Sequence, residues 1–208
     1  RILVKDLAYR TPELLFGLVR PYLRKGMRVL DLGCGTGLGA AYYRPFAERL
    51  IGVDISSKML AKAAVKGVYD RLVVLDILQD WGLSQPVDLI YSSDVLVYVG
   101  KLDPVIRSAS SCLVDGGLMA LSVERLQDPS LTYRLFPSGR YAHSEAYVAD
   151  CLSRHGFQVV AQSEGDIRKQ SGHPAARNRS WSLSASACLD NRRSSAASST
   201  RLPAPLAL

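Results

Sequence analysis

Three aspartates, each closing an apolar run, carry the chemistry that can be read from this chain. Asp31 follows Val29 and Leu30, Asp54 ends Leu50-Ile51-Gly52-Val53, and Asp76 ends Leu72-Val73-Val74-Leu75. Directly after the first acid come Gly33, Gly35 and Gly37, which let a backbone turn sharply and approach a ligand with no Cβ in the way. A carboxylate two residues before such a turn repels a pyrophosphate and attracts a cation. The dinucleotide fingerprint also needs its third glycine where this chain has Leu38. A nucleoside that carries positive charge and no phosphate suits the pattern better. S-adenosylmethionine (SAM), with its ammonium and sulfonium, is such a molecule, and S-adenosylhomocysteine (SAH) is its product after methyl transfer. Asp54 lies about 20 residues beyond the glycines, where an acidic side chain reaches a ribose diol. Asp76 is placed to accept a hydrogen bond from an adenine amino group, with Ile77 and Met59 as apolar walls for the ring. Singly, each aspartate also fits a turn former or helix N-cap. Three at successive strand ends are what point to a site.

These acids need strands to hold them side by side. Val29, Leu30 and Leu32 read as a buried parallel strand, and Leu38 to Arg49 is long enough for the helix that follows the glycines. A second strand ends at Asp54 and a helix runs from about Ser57 to Lys66, capped by Ser56 or Ser57. A third strand ends at Asp76, and residues 79–86 are rich in turn formers. Val87–Tyr91 is strand four, Pro104 opens a helix to about Leu113, Asp115-Gly116-Gly117 turns, and Leu118–Val123 is strand five. Strands alternating with helices over short loops predict a parallel sheet covered on both faces. Ahead of it, Leu3 to Leu23 is helical text broken at Thr11-Pro12, with Thr11 as the cap and Leu14, Leu15, Leu18 and Tyr22 on one apolar face. Behind it, Glu124 to Ser144 reads as a long polar-aromatic connection, the kind that usually serves function at a ligand-binding end. A helix from Ala146 to His155 and a strand Phe157–Ala161 follow.

The residues Val29 to Gly37, Gly52-Val53-Asp54, Leu75-Asp76 and Gly116-Gly117 resemble the class I SAM-dependent methyltransferases, over Leu7 to about Gly172. Within that class, Tyr9–Leu14, Asp94–Tyr98 and Pro137–Ser144 resemble methyltransferases often fused behind tetratricopeptide repeats. The resemblance implies a Rossmann-like, doubly wound, mostly parallel sheet of seven strands, closed by an antiparallel strand beside strand six. It divides the chain into an N-terminal helical lid (1–26), a SAM-binding core (27–186) and a disordered tail (187–208). The expected cofactor site is Asp31, Gly33, Cys34, Gly35, Gly37, Asp54, Ile55, Met59, Asp76, Ile77 and Ser93, with Tyr9 and Arg10 of the lid as candidates to meet the SAM carboxylate or, equally, a surface pair. In this class the loop after strand four carries the chemistry. Enzymes that methylate base or glutamine amino groups usually place an Asn or Asp, two prolines and an aromatic there. Ser93-Asp94-Val95-Leu96 lacks the prolines, which argues against base N-methylation.

For catalysis the candidates are Asp94, lining the transfer pocket, and His143 and Tyr141 on the long connection. A histidine titrates near neutrality and can act as a base, but His143 fits equally as packing or a cap for the helix at Ser144. Tyr98, Arg140 and Tyr141 are the residues expected to hold the acceptor, which Arg140 and Tyr141 would suit if it were acidic or planar. The acceptor is expected to be a small molecule or a protein. Rival readings are a protein or RNA methyltransferase, a NAD-linked reductase, and a SAM-binding protein without turnover.

Composition bounds the rest. The chain has 208 residues, 48% of them hydrophobic, enough to bury one sizeable core. Its net charge of +7 is concentrated in residues 165–208, where seven Arg or Lys face two acids, so it reads as a basic tail and argues against a nucleic-acid surface. No apolar run approaches membrane-span length, and the four cysteines show no metal spacing or disulfide density. A cytoplasmic location, free thiols and no metal are expected. Arg1 stands where a methionine would, which leaves room for an upstream segment. After about residue 176 the text departs from the family's closing hairpin, and Trp181, Leu183 and Ala185 alternate with serines as a short strand would. A tail altered from the natural C-terminus would explain that mismatch.

Overall fold

The computed structural model describes residues 10–83, 85–166 and 182–190. Among the described residues nine strands form one sheet. In chain order the elements are α1 (Thr11–Val19), β1 (Met27–Leu32), α2 (Ala40–Tyr43), β2 (Ala47–Asp54), α3 (Ser57–Ala64), β3 (Arg71–Val74), β4 (Val87–Ser92), α4 (Asp103–Cys112), β5 (Leu113–Arg125), β6 (Tyr133–Leu135), β7 (Tyr141–His143), α5 (Glu145–Arg154), β8 (Phe157–Asp166) and β9 (Ser182–Asp190). The order β3-β2-β1-β4-β5 is parallel throughout. β9 then runs antiparallel between β5 and β8. These seven strands are the Rossmann-like sheet that the helix–strand alternation predicts. β6 and β7 form an added hairpin, joined in parallel to the end of β5 at Glu124 and Arg125.

Side chains alternate across a strand, and that period of two builds both faces. Leu30, Leu32, Ile51, Val53 and Ile90 pack with α4 and α5 on one side. Val29, Leu50, Leu89 and Tyr91 pack with Leu15 and Val19 of α1 and Tyr43 of α2 on the other. Asp31 shares the second face and lies in register between Gly52 of β2 and Tyr91 of β4. Below it, Asp88 ties the start of β1 to β4 by accepting from the Arg28 amide at 2.8 Å and the Arg24 guanidinium at 2.7 Å. No helix among the described residues is long and apolar enough to cross a membrane.

Several expected boundaries move, each for a local reason. The helix expected over Leu38–Arg49 is one turn, Ala40–Tyr43, followed by a 3₁₀ turn at Arg44–Phe46. Pro45 lacks the amide that an α-helix would need, and Arg44 pins the exit by donating to the Ala47 carbonyl at 2.6 Å and Asp70 at 2.7 Å. Thr11 does not cap α1. Arg10 occupies the N-cap position, and the buried Thr11 hydroxyl has no partner. β3 stops at Val74, because the Asp76 carboxylate accepts the Leu78 amide at 2.9 Å and closes a turn. The turn expected at Asp115–Gly117 is a bulge inside a longer β5, marked by a register shift against β4. The long connection is folded into the β6–β7 hairpin, and Ser144 caps α5 by accepting the Tyr147 amide. The expected C-terminal strand is β9. The tail boundary expected at 187 falls inside it, while 191–208 and the hairpin expected at 167–174 lie outside the described residues.

Candidate active site

The loops at the C-terminal ends of β1 to β4 enclose a cavity of about 640 Å³, within the usual range for small-molecule sites. It opens beside the junction of β1 and β4, where the strand order reverses and open α/β sheets bind their ligands. Asp31, Asp54, Asp76 and Asp94 line it, and no Lys, Arg or His among the described residues does.

The glycine turn uses its amides on the protein itself. The Gly33 and Cys34 N–H groups donate to the Val53 carbonyl at 2.9 and 2.8 Å, and the Gly37 N–H donates to the Cys34 carbonyl at 2.8 Å. The Gly35 N–H donates to Asp54 Oδ2 at 2.8 Å. A loop built for pyrophosphate aims such amides at the ligand. Here four of the five amides from Gly33 to Gly37 are already bonded, which disfavours an anion as the charge pattern does. Gly33 and Gly37 have positive φ, +76° and +73°. A Cβ on Gly33 would stand 2.4 Å from a Val95 methyl, and one on Gly37 would stand 2.8 Å from the Tyr69 ring. Gly37 does not line the cavity, but the turn depends on it.

Asp31 is almost wholly buried, 3% exposed. The phenols of Tyr69 and Tyr91 both donate to its Oδ2 at 2.5 Å. Burial pushes this carboxyl up to about 7 against the pull of the two phenols, and the neighbouring Asp54 raises it further. Cys34 also lines the cavity. Burial, with the charges of Asp31 and Asp54, pushes its thiol up to about 12, so it packs rather than reacts. Asp54 Oδ1 accepts the Ser56 amide at 2.8 Å, so this one carboxylate fastens the glycine turn to the start of α3.

Ile55, Met59, Asp76 and Ile77 line the end of the cavity away from β4, joined by Leu75 and Leu78. Tyr9 lies outside the described residues. Arg10, expected at the cofactor carboxylate, pairs instead with Glu13 on its own helix at 3.0 Å.

At the other end stand Ser93, Asp94, Val95 and Tyr98. Asp94 has a left-handed backbone, φ 59°, with its amide on the Ser122 hydroxyl at 2.8 Å. Arg140 reaches in from the hairpin turn and donates to Asp94 at 2.6 Å and to Glu124 at 2.9 Å. Its guanidinium also lies 5.5 Å from the centre of the Tyr98 ring. Although burial works against its charge, the hydrogen bonds to Glu124 and Asp94 hold it firmly protonated. Arg140 therefore faces two carboxylates rather than an acidic acceptor, and it does not line the cavity. Tyr141 packs over Gly100 and edge-on to Tyr133, also off the cavity wall. His143, expected as a base, is 1% exposed. Its Nε2 lies 2.9 and 3.0 Å from the carbonyls of Val99 and Gly100, which makes Nε2 the protonated nitrogen and leaves Nδ1 buried without a partner. Burial also lowers its pKa. As placed, this histidine ties β7 to the loop after β4 and does not meet the cavity.

Sequence reasoning missed Tyr69, Tyr91 and Glu124. Glu124 was visible in principle, since an acid closes the apolar run of strand five as the aspartates close the first three. Tyr91 was visible too, as a phenol directly after the aliphatic pair Leu89-Ile90 on a strand read as buried, and so in need of a buried partner.

Residues 6–162 match the family model described as "Methyltransferase domain". This chain belongs to that family. Among curated relatives, the domain is 25% identical over 154 residues to a ubiquinone biosynthesis O-methyltransferase of Nitrobacter winogradskyi, covering 66% of this chain and 59% of that one. It is 36% identical over 117 residues to a trans-aconitate 2-methyltransferase of Pseudomonas aeruginosa, covering 52% and 39%. The chain thus spans less than two thirds of either relative. Among solved structures, the magnesium protoporphyrin IX methyltransferase of Synechocystis PCC 6803 with bound SAM has the same fold, with a TM-score of 0.63 at 21% identity over 86% of this chain and 77% of that one. The domain thus shares its fold with a methyltransferase that binds SAM.

Proposed function

We propose that this domain transfers a methyl group from SAM to a small-molecule acceptor. The observation that carries this reading is the cavity lining, four carboxylates beside a glycine turn whose amides are mostly spent. Such a lining favours a cationic nucleoside over a phosphate-bearing one. SAM, when bound, supplies a methyl group activated by a sulfonium. Asp31 would meet its ammonium, Asp54 its ribose hydroxyls and Asp76 its adenine amino group, with Met59 and Ile77 against the ring. The acceptor would enter beside Ser93, Asp94 and Tyr98. Holding a nucleophile in line is the chief task, an effect that supplies several kcal/mol. Asp94, clamped by Arg140, is read as a positioning group rather than a base. The likeness to repeat-associated methyltransferases rests on Tyr9–Leu14, Asp94–Tyr98 and Pro137–Ser144 and names no acceptor.

Calorimetric titration with SAH tests the cofactor. Binding is expected, with none for NADH. Asp54→Ala removes a carboxylate bonded to two loop amides and should weaken SAH by about 2–3 kcal/mol, roughly 30- to 150-fold. Affinity for NADH, or unchanged SAH affinity in the variant, would overturn the assignment. The acceptor's charge is a separate expectation. The relative from Pseudomonas aeruginosa is named for trans-aconitate, an anion. Here no described cation lines the cavity and Arg140 is bound to two acids. With radiolabelled SAM, trans-aconitate should therefore be methylated at least about tenfold more slowly than its dimethyl ester, which keeps one carboxylate as the nucleophile and carries two fewer charges. A preference for trans-aconitate itself would remove charge from the acceptor's description.

A further inference from the structure

We propose that Tyr69 and Tyr91 are positioning residues for Asp31, and that binding of the cationic cofactor expels a proton from this carboxyl group. The inference rests on the SAM reading above and adds to it a proton that the reading does not require.

Both phenols donate to one oxygen, Oδ2, each at 2.5 Å. In the neutral acid the proton therefore sits on Oδ1, the oxygen neither tyrosine engages. The arrangement is rigid. Tyr91 is the register neighbour of Asp31 and stacks on the buried Tyr43 with ring centres 3.8 Å apart. Tyr69 is wedged between Gly37 and Gly52, where a Cβ would come within 2.8 and 2.9 Å of its ring. Thus Tyr69 joins the acid to the glycine turn, and the two small residues make room for it.

The titratable groups around Asp31 among the described residues are Tyr69, Tyr91 and Tyr43, the Cys34 thiol, and Asp54. None of these is a cation. Burial holds the free carboxyl up to about 7. An ammonium arriving beside it favours the ionised form and lowers that value. Below pH 7 the acid must then lose the Oδ1 proton to solvent as the ligand binds, and above pH 7 it has mostly lost it already. The sign follows directly: affinity for the cation falls as pH drops below 7, and proton release on binding grows.

SAH, which keeps the ammonium and is stable in solution, is the probe. Titrations at pH 6 in buffers of differing ionisation enthalpy give the number of protons released. A group of pKa about 7 that becomes fully ionised releases about 0.9 proton at pH 6 and about 0.1 at pH 8. Asp31→Asn should abolish the release at pH 6. Tyr69→Phe and Tyr91→Phe each remove a donor that favours the carboxylate, so release should persist at pH 8, which a purely structural role for the rings would not produce. Binding of SAH without release at pH 6, or phenylalanine variants whose release keeps the wild-type pH profile, overturns the proposal while leaving the cofactor reading intact. No binding of SAH at any pH overturns both.

Discussion

Gly33→Val is expected to lower SAH affinity by more than about a hundredfold while leaving the sheet folded. Two independent costs meet at this position. With φ at +76°, any L side chain sits in the left-handed region, at roughly 1–2 kcal/mol, and more for a β-branched one. The new Cβ would also stand 2.4 and 2.6 Å from the two Val95 methyls, and overpacking of that kind adds about 1–3 kcal/mol. The protein can escape both by letting the turn move away, since Gly33 lies at the cavity and not in the core. Binding would then have to restore the turn, so the strain appears as lost affinity. A series over the glycines separates the two terms. Gly35 also has positive φ, +54°, but a Cβ there meets nothing within 4 Å. Gly35→Ala should therefore lose only about tenfold. Gly37→Ala, pressed 2.8 Å from the Tyr69 ring, should fall between them. Calorimetry gives the affinities and circular dichroism checks the fold. Equal losses at Gly33 and Gly35 would show that contact with Val95 plays no part.

The same turn shows what the chain reveals without coordinates. Gly33, Gly35, Gly37 and the acids Asp31, Asp54 and Asp76 were legible because strand ends and turns are local, and their order along the chain is their order across β1, β2 and β3. Register across the sheet is not local. That Tyr91 would lie opposite Asp31, and that Tyr69 would fill the space left by Gly52, depends on how β4 and the loop before β3 align with β1. The cavity end at Ser93, Asp94 and Tyr98 was the least legible for the same reason. His143 and Arg140 suit catalysis by residue type. Whether each meets the cavity or turns back into the fold was decided by the β6–β7 hairpin, which sends His143 to the Val99 and Gly100 carbonyls and Arg140 to Glu124 and Asp94. Helix lengths failed where one residue overrode the pattern, as Pro45 did after α2.

Removing the Arg140 guanidinium should do more to stability than any other single change at the site. Its side chain is 14% exposed, between Asp94 at 10% and Glu124 at 4%. Arg140→Ala strands two carboxylates of like sign in a poorly hydrated place, and breaking a buried pair from one side costs about 3–5 kcal/mol. Glu124 is the more vulnerable of the two, because its Oε1 is buried without a partner even while Arg140 is present. Chemical denaturation should record the loss as a lower midpoint with an unchanged slope. Tyr98 would also lose the cation beside its ring, a smaller term of about 0.5–1 kcal/mol at an exposed aromatic. The double variant Arg140→Ala with Glu124→Gln tells charge from packing. If the penalty comes from a stranded carboxylate, neutralising Glu124 should recover about half of it or more, whereas a packing defect would leave the double variant as unstable as the single one. Because Arg140 holds Asp94 beside the cavity, the single variant should also weaken acceptor binding more than SAH binding. This split follows from the proposed site, in which Asp94 stands at the acceptor end, while Asp31 and Asp54 of the proposed cofactor end are held through bonds that Arg140 never touches.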